Sequence, residues 1–346
     1  MWALNNQTPF AAERGWVRDR SGAEVWIVAV KATLLIGPDG SKKLAPEQEP
    51  VRLAPKFRGD PATSSLLYDT DLIPVKSATD ILLHGHAYAP KGAAVRQVDV
   101  SMRVGTVRKA LRVFGDRYWR VGMLGLKLSE PDPFVKMPLV YERAHGGADP
   151  VMPDKGWSVR NPVGLGYALK AEHLAGRRAP NLENPAEPIS SPKQQPQLAG
   201  FGPIAPHWEA RARFGGTYDK KWEEDRQPLL PTDFDDRFYQ GAPPEQQAPG
   251  FLKGGESVEL YNLTPGGSLR FTLPRVILGF ETHFGRETVR HQAKLHSLIL
   301  EPDVPRVQMV WATALPCHSK ILKLKVTTIT RKKVVRWPKP LAKAHA

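Results

Sequence analysis

Along the first third of the chain, apolar residues either fill successive positions or alternate strictly with polar ones, and both are strand patterns. Val25 to Ile36 (VWIVAVKATLLI) is a continuous, β-branched run that stops at Gly37-Pro38-Asp39-Gly40, a strong turn. Thr79 to Ala89 is a second such run, closed by Pro90-Lys91-Gly92. From Val95 to Val104 apolar and polar residues alternate; Gly105 interrupts, and Val107 to Phe114 follows. This predicts a meander of antiparallel strands with one face buried. Strand patterns return near the end, at Ser257–Leu263, Leu269–Leu273, Thr288–Leu300, Arg306–Leu315 and Ile321–Thr330, with a turn at Thr264-Pro265-Gly266-Gly267.

Between these ends the periodicity fades. Residues 144–255 are crowded with Gly, Pro, Asn and aromatics, and only a short helix around Pro206 to Arg213 suggests itself. A stretch this long without sustained structure is unusual in a compact domain. Its aromatics, among them Trp157, Phe201, Trp208, Phe214, Tyr218, Trp222 and Phe234, point to ordered loops anchored on a core. The expected organisation is a β-rich part at 1–143, a loop-rich middle at 144–255 and a β-rich part with a basic end at 256–346, intertwined as one unit. The fold class is mainly β, an antiparallel sandwich-like scaffold whose sheets are completed from both ends of the chain.

Composition sharpens this reading. With 29 Gly and 33 Pro among 346 residues, turns and short elements should outnumber long helices. The single cysteine, Cys317, excludes an internal disulfide framework and a Cys-based zinc cluster. No secretory signal opens the chain and no apolar run is long enough for a membrane span, so a reducing cytoplasm is the expected compartment.

The net charge of +14 is mostly local. Val304 to Ala346 holds ten Lys/Arg and no Asp/Glu, centred on Lys320, Lys323, Lys325 and Arg331-Lys332-Lys333. Such a stretch could face an acidic partner, a phosphate backbone or a membrane surface. The alternation in Lys323-Leu324-Lys325-Val326 fits the solvated face of a strand better.

Catalytic patterns find little purchase. His84-Gly85-His86 would put two rings on one strand face, but a third ligand of matching spacing is missing, with His145 and His207 outside any motif. The carboxylates Glu142, Asp154, Asp219, Asp233, Asp235 and Asp236 could pair for acid/base or glycoside chemistry. Asp219 and Asp233 suit loop-capping Asx turns better. No nucleophile elbow or phosphate loop occurs; Cys317 has only His318 beside it, and the glycines of Asn161–Gly166 lack a dinucleotide context.

What remains is a set of short phrases in a fixed order. The first are Asn6 to Phe10 (NQTPF), Val30-Lys31-Ala32-Thr33, Gly59-Asp60-Pro61, Asp71 to Lys76 (DLIPVK) with Thr79-Asp80, and Gly85 to Pro90 (GHAYAP). Gly115-Asp116-Arg117 with Trp119, Met137-Pro138-Leu139, Tyr141 to Ala144 with Gly146-Gly147, Asn161 to Gly164, and Pro180 to Glu183 follow. The last are Phe201 to Ile204, Trp208 with Arg211, Gly216 to Asp219 with Trp222, and Leu230-Pro231 with Asp233-Phe234. Over roughly residues 1–315 this order resembles a bacterial family of unknown-function domains encoded beside type VI secretion genes.

The resemblance implies an effector adaptor or chaperone, not an enzyme. Its partners would be a type VI effector and the VgrG and PAAR proteins of the secretion spike, with no cofactor, membrane or nucleic acid. The family supplies no catalytic or ligand residue to carry over. Trp and Arg are favoured at interface hot spots, so Trp208, Arg211 and Trp222 are the candidate partner contacts, with anchoring of the loops as their competing role. The alternatives are a hydrolase built on the middle-loop carboxylates and nucleic-acid binding through the basic end.

Overall fold

The strand Glu24–Ile36 is the axis around which the other elements assemble. All but two of its side chains, Glu24 and Leu35, are buried, so both faces are covered, and its sequence reads as a continuous apolar run. It pairs antiparallel with Ala11–Arg18 on one side and Arg306–Pro316 on the other. Lys294–Glu301 continues the sheet antiparallel, and Asp80–Leu83 closes it in a parallel pairing. The computed structural model describes residues 2–332, so Lys333 of the basic cluster lies outside them.

A second sheet is ordered Leu182–Glu183, Val107–Phe114, Gln97–Val104, Ser257–Tyr261 and Ser268–Thr272. A third is ordered Ala3–Asn6, Leu324–Lys332, Ile277–Phe284 and Glu287–His291. The fold is thus mainly β, in several mostly antiparallel sheets, and all three draw strands from both ends of the chain. One core joins them: Val28, Val30 and Leu34 of the first sheet cluster with Val100, Met102, Leu111 and Leu260 of the second and Phe280 and Ile329 of the third. The middle supplies Leu182–Glu183 to the second sheet and the buried Phe201 to that core.

The other face of Glu24–Ile36 carries Lys31 and Thr33, and this explains several of the sequence phrases. Lys31 Nζ meets Asp71 Oδ2 at 2.7 Å with both side chains buried, and the same oxygen accepts the Arg52 backbone N–H at 2.8 Å. From Arg52 the network runs to Gln308 at 3.0 Å, then to Glu301, which also accepts from Tyr68 and Arg306. A second buried cluster centres on Asp80, which takes Lys76, Gln240 Nε2 at 2.9 Å and the Gly241 N–H at 2.8 Å. Polar residues inside a fold must find partners, and segment 45–80 supplies several of them here: Arg52, Tyr68, Asp71 and Lys76.

Two expected strands are each divided. Thr79–Ala89 becomes Asp80–Leu83 and His86–Tyr88; the first pairs with Ser297–Leu300 and the second with Lys136–Pro138. His84 and His86 therefore do not share a strand face: His84 sits edge-on to Tyr68 at 4.9 Å, while His86 Nδ1 meets Asp303 at 2.6 Å. Thr288–Leu300 becomes Glu287–His291 in the third sheet and Lys294–Glu301 in the first, because the chain changes sheets at Gln292-Ala293. The helix expected at Pro206–Arg213 is the single turn Glu209–Ala212. The strands that the pattern does not predict include Ala11–Arg18, Arg117–Gly122 and Ile277–Phe284. The basic end forms Leu324–Lys332, with Lys323, Lys325 and Arg331 exposed and Lys320 bound to Glu287 at 2.9 Å. No helix among the described residues is long and apolar enough to cross a membrane.

Burial holds four imidazoles neutral: His84 and His296 are pushed down to about 3, His145 and His291 to about 4. An unfolded chain takes up these protons near 6.5, which the native state refuses, so the stability they contribute is full above that pH and lost as pH falls toward 4. The urea midpoint should be lower at pH 5 than at pH 7, and His296→Leu should shrink the difference. Equal midpoints at the two pH values in the wild type would contradict this.

Candidate binding cleft

The hairpin Gln97–Val104 and Val107–Phe114 turns at Gly105, whose φ of 56° is the left-handed geometry the turn requires. Alternation sends Val107, Lys109, Leu111 and Val113 inward and leaves Arg108 and Ala110 exposed. Beside this hairpin lies an open cleft of about 680 Å³. Arg108 to Leu111 form one wall; the other comes from Gln197–Ala199, the helical turn at Glu209, Ala210 and Arg213, and Pro243 to Glu245. A shallower recess on the outer sheet face shares Arg108 to Ala110 and adds Arg103, Glu259 and Arg270.

The far wall is held by two of the residues that the sequence singles out. Trp208 is 0% exposed and packs edge-on against Tyr141 at 5.3 Å. Arg211 is also buried; it donates to Phe238 O at 3.0 Å and to Ile204 O and Asp69 Oδ2 at 2.8 Å. Both therefore anchor the loops, and the residues between and after them, Glu209, Ala210 and Arg213, meet the cleft. Trp222 lines neither recess: it is half-buried, stacks edge-on to Tyr218 at 4.7 Å and donates Nε1–H to Leu229 O at 2.8 Å.

The electrostatics of the cleft are uneven. Lys109 is buried, and its ammonium donates to Gly200 O, to Gln246 Oε1 at 2.7 Å and to Glu245 at 2.7 Å. Burial lowers its pKa, and Glu245 works against that shift. Arg213 lies 3.8 Å from Glu209. Arg108 and Arg160 are left with no hydrogen bond or ion pair among the described residues, so the cleft presents uncompensated positive charge. Arg160 also helps burial hold the nearby His145 neutral.

Four of the candidate carboxylates, Glu142, Asp219, Asp233 and Asp235, serve the loops. Asp219 caps a helical turn through the Trp222 N–H at 2.9 Å, and Asp233 accepts the Thr217 N–H at 3.0 Å and its hydroxyl at 2.7 Å. Glu142 holds the Ser65 N–H at 2.8 Å, and Asp235 caps the turn at Arg237. Asn161, in the glycine-bearing segment, donates to Tyr141 O and His145 O at 2.8 and 3.0 Å and so clamps a loop. Among the described residues no group of three His, Cys, Asp or Glu could hold a metal ion.

The cleft arginines were missed because single basic residues on outward strand positions or in loops are ordinary, and only pairing tells which of them lack a carboxylate. A family model described as "Uncharacterized protein conserved in bacteria (DUF2169)" matches residues 21–312. Neither a curated protein nor a solved structure matches the chain.

Proposed function

Since the chain belongs to this bacterial DUF2169 family, we propose that it is an adaptor of type VI secretion that binds an effector in the cytoplasm and helps place it on the VgrG/PAAR spike. The secretion assignment rests on the ordered phrases between Asn6 and Phe234. The observation that carries the binding role is the cleft beside the second sheet, where Arg108 and Arg160 stand without a carboxylate partner among the described residues on a scaffold of hydrogen-bonded loops. Rigid scaffolds that present loops and unpaired Arg to solvent suit protein recognition, since little order has to be imposed on binding.

Co-purification from the native host tests the proposal. A stoichiometric complex with an effector or spike-tip protein that survives moderate salt is expected. Elution of the chain alone, or with nucleic acid that salt releases, would overturn it.

A further inference from the structure

The second sheet ends in the cleft on an incomplete edge. Leu182–Glu183 pairs only with Val113 and Arg112, and the Phe114 N–H reaches Asn181 O at 2.8 Å. Backbone groups alternate sides along a strand, so those of Phe114, Arg112, Ala110 and Arg108 all point to this edge. Among the described residues, Arg108 and Ala110 have no strand partner on this side beyond Glu183. Two N–H and two C=O groups are thereby offered to the cleft.

We propose that the cleft takes an extended, acidic segment of a partner protein, which adds as a strand alongside Val107–Leu111 and continues the line of Leu182–Glu183. This deepens the protein-binding reading above by naming the chemistry of what is bound. Main-chain pairing would hold the segment, and alternate side chains would select it. On the outer face, Arg108, Arg103, Glu259 and Arg270 form one cross-strand row in which Arg108 lies opposite another arginine and Glu259 reaches only Arg103 and Arg270, so an acidic residue on the open side of Arg108 would supply the opposite charge it lacks. Arg160 in the cleft favours the same sign. The chain's own residues 333–346 are a poor occupant, since they contain Lys333, Arg336, Lys339 and Lys343 and no acid.

The test uses the full chain with two synthetic peptides of about eight residues, alternating Thr-Glu and alternating Thr-Lys, and reads amide hydrogen exchange residue by residue. The Thr-Glu peptide should slow exchange at Arg108 and Ala110, and the Thr-Lys peptide should not. Arg108→Glu with Arg160→Glu should weaken the Thr-Glu peptide about tenfold or more, and added salt should act in the same direction. Ala110→Pro removes one of the free N–H groups at a position where no internal bond is lost, and should abolish protection at Arg108. No slowing at about 1 mM peptide, or equal slowing by both peptides, overturns the proposal.

Co-purification with the same variants separates the two readings. A native partner that binds the Ala110→Pro and arginine variants undiminished leaves the adaptor role standing and removes the edge. Peptide protection at the edge with no native partner does the reverse.

Discussion

Replacing Asp71 by alanine should lower the unfolding free energy by about 3–5 kcal/mol, because it strands a buried ammonium. The Lys31 side chain is 0% exposed and its partner oxygen lies 2.7 Å away, so the ammonium loses its counter-charge where bulk solvent does not reach it. The Arg52 backbone N–H loses its acceptor in the same step. Lys31→Met with Asp71→Leu, which removes both charges, should recover most of the loss, and urea unfolding of the three variants checks the comparison. A single Asp71→Ala variant within about 0.5 kcal/mol of wild type would show that the pair does not hold segment 45–71 on the sheet.

The same pair predicts a pH dependence. Burial pulls Lys31 down to about 8 from 10.5, against the attraction of Asp71. The unfolded chain therefore holds this proton more tightly, and its release favours the native state as pH rises from about 8 toward 10.5. Wild-type stability relative to Lys31→Met should rise across that window. A flat difference would contradict the assigned charge state.

Trp208→Ala should cost about 3–5 kcal/mol as a large-to-small change at a fully buried site. Trp208 belongs to the satellite cluster of Leu66, Tyr141, Ile204 and Ala205, so the loss falls on the loops rather than on the main core. Trp208→Phe should cost less, about 1–2 kcal/mol, because the buried indole N–H finds no acceptor among the described residues and its removal offsets part of the cavity. Glu209, Ala210 and Arg213 ride on the same turn, so the alanine variant should also weaken whatever the cleft binds. Denaturation curves followed by tryptophan emission, beside a binding assay, read both effects. Equal costs for alanine and phenylalanine would argue that the cavity is not the main term.

The strands were legible where local chemistry settles them. Gln97–Val104 and Val107–Phe114 appear in the alternation itself, with Gly105 marking the turn, because a half-buried hairpin needs only neighbours in sequence. Glu24–Ile36 was legible for the opposite reason, as two covered faces leave no room for polar alternation. The same apolar signal misled at Thr79–Ala89 and Thr288–Leu300, since a run can stay buried while the chain passes from one sheet to another. Ala11–Arg18 was overlooked because its half-buried pattern carries Glu13, Arg14 and Gly15 at its centre.

Trp208 and Arg211 stand out in the sequence by residue type, but sequence cannot choose between anchor and contact. That choice depends on which carbonyls and carboxylates come from residues 69, 204 and 238, which are brought together only by folding. The ordered phrases likewise reveal membership in a family, while the pairing of Lys31 with Asp71 across 40 positions appears only in three dimensions.

The sequence by itself thus determined the β class, the completion of the scaffold from both ends and the bacterial family, because periodicity and short phrases are local properties. Only the tertiary structure decided where the free sheet edge lies and which arginines lack partners. Pairing and desolvation are relations between distant residues, and no window along the chain contains both members.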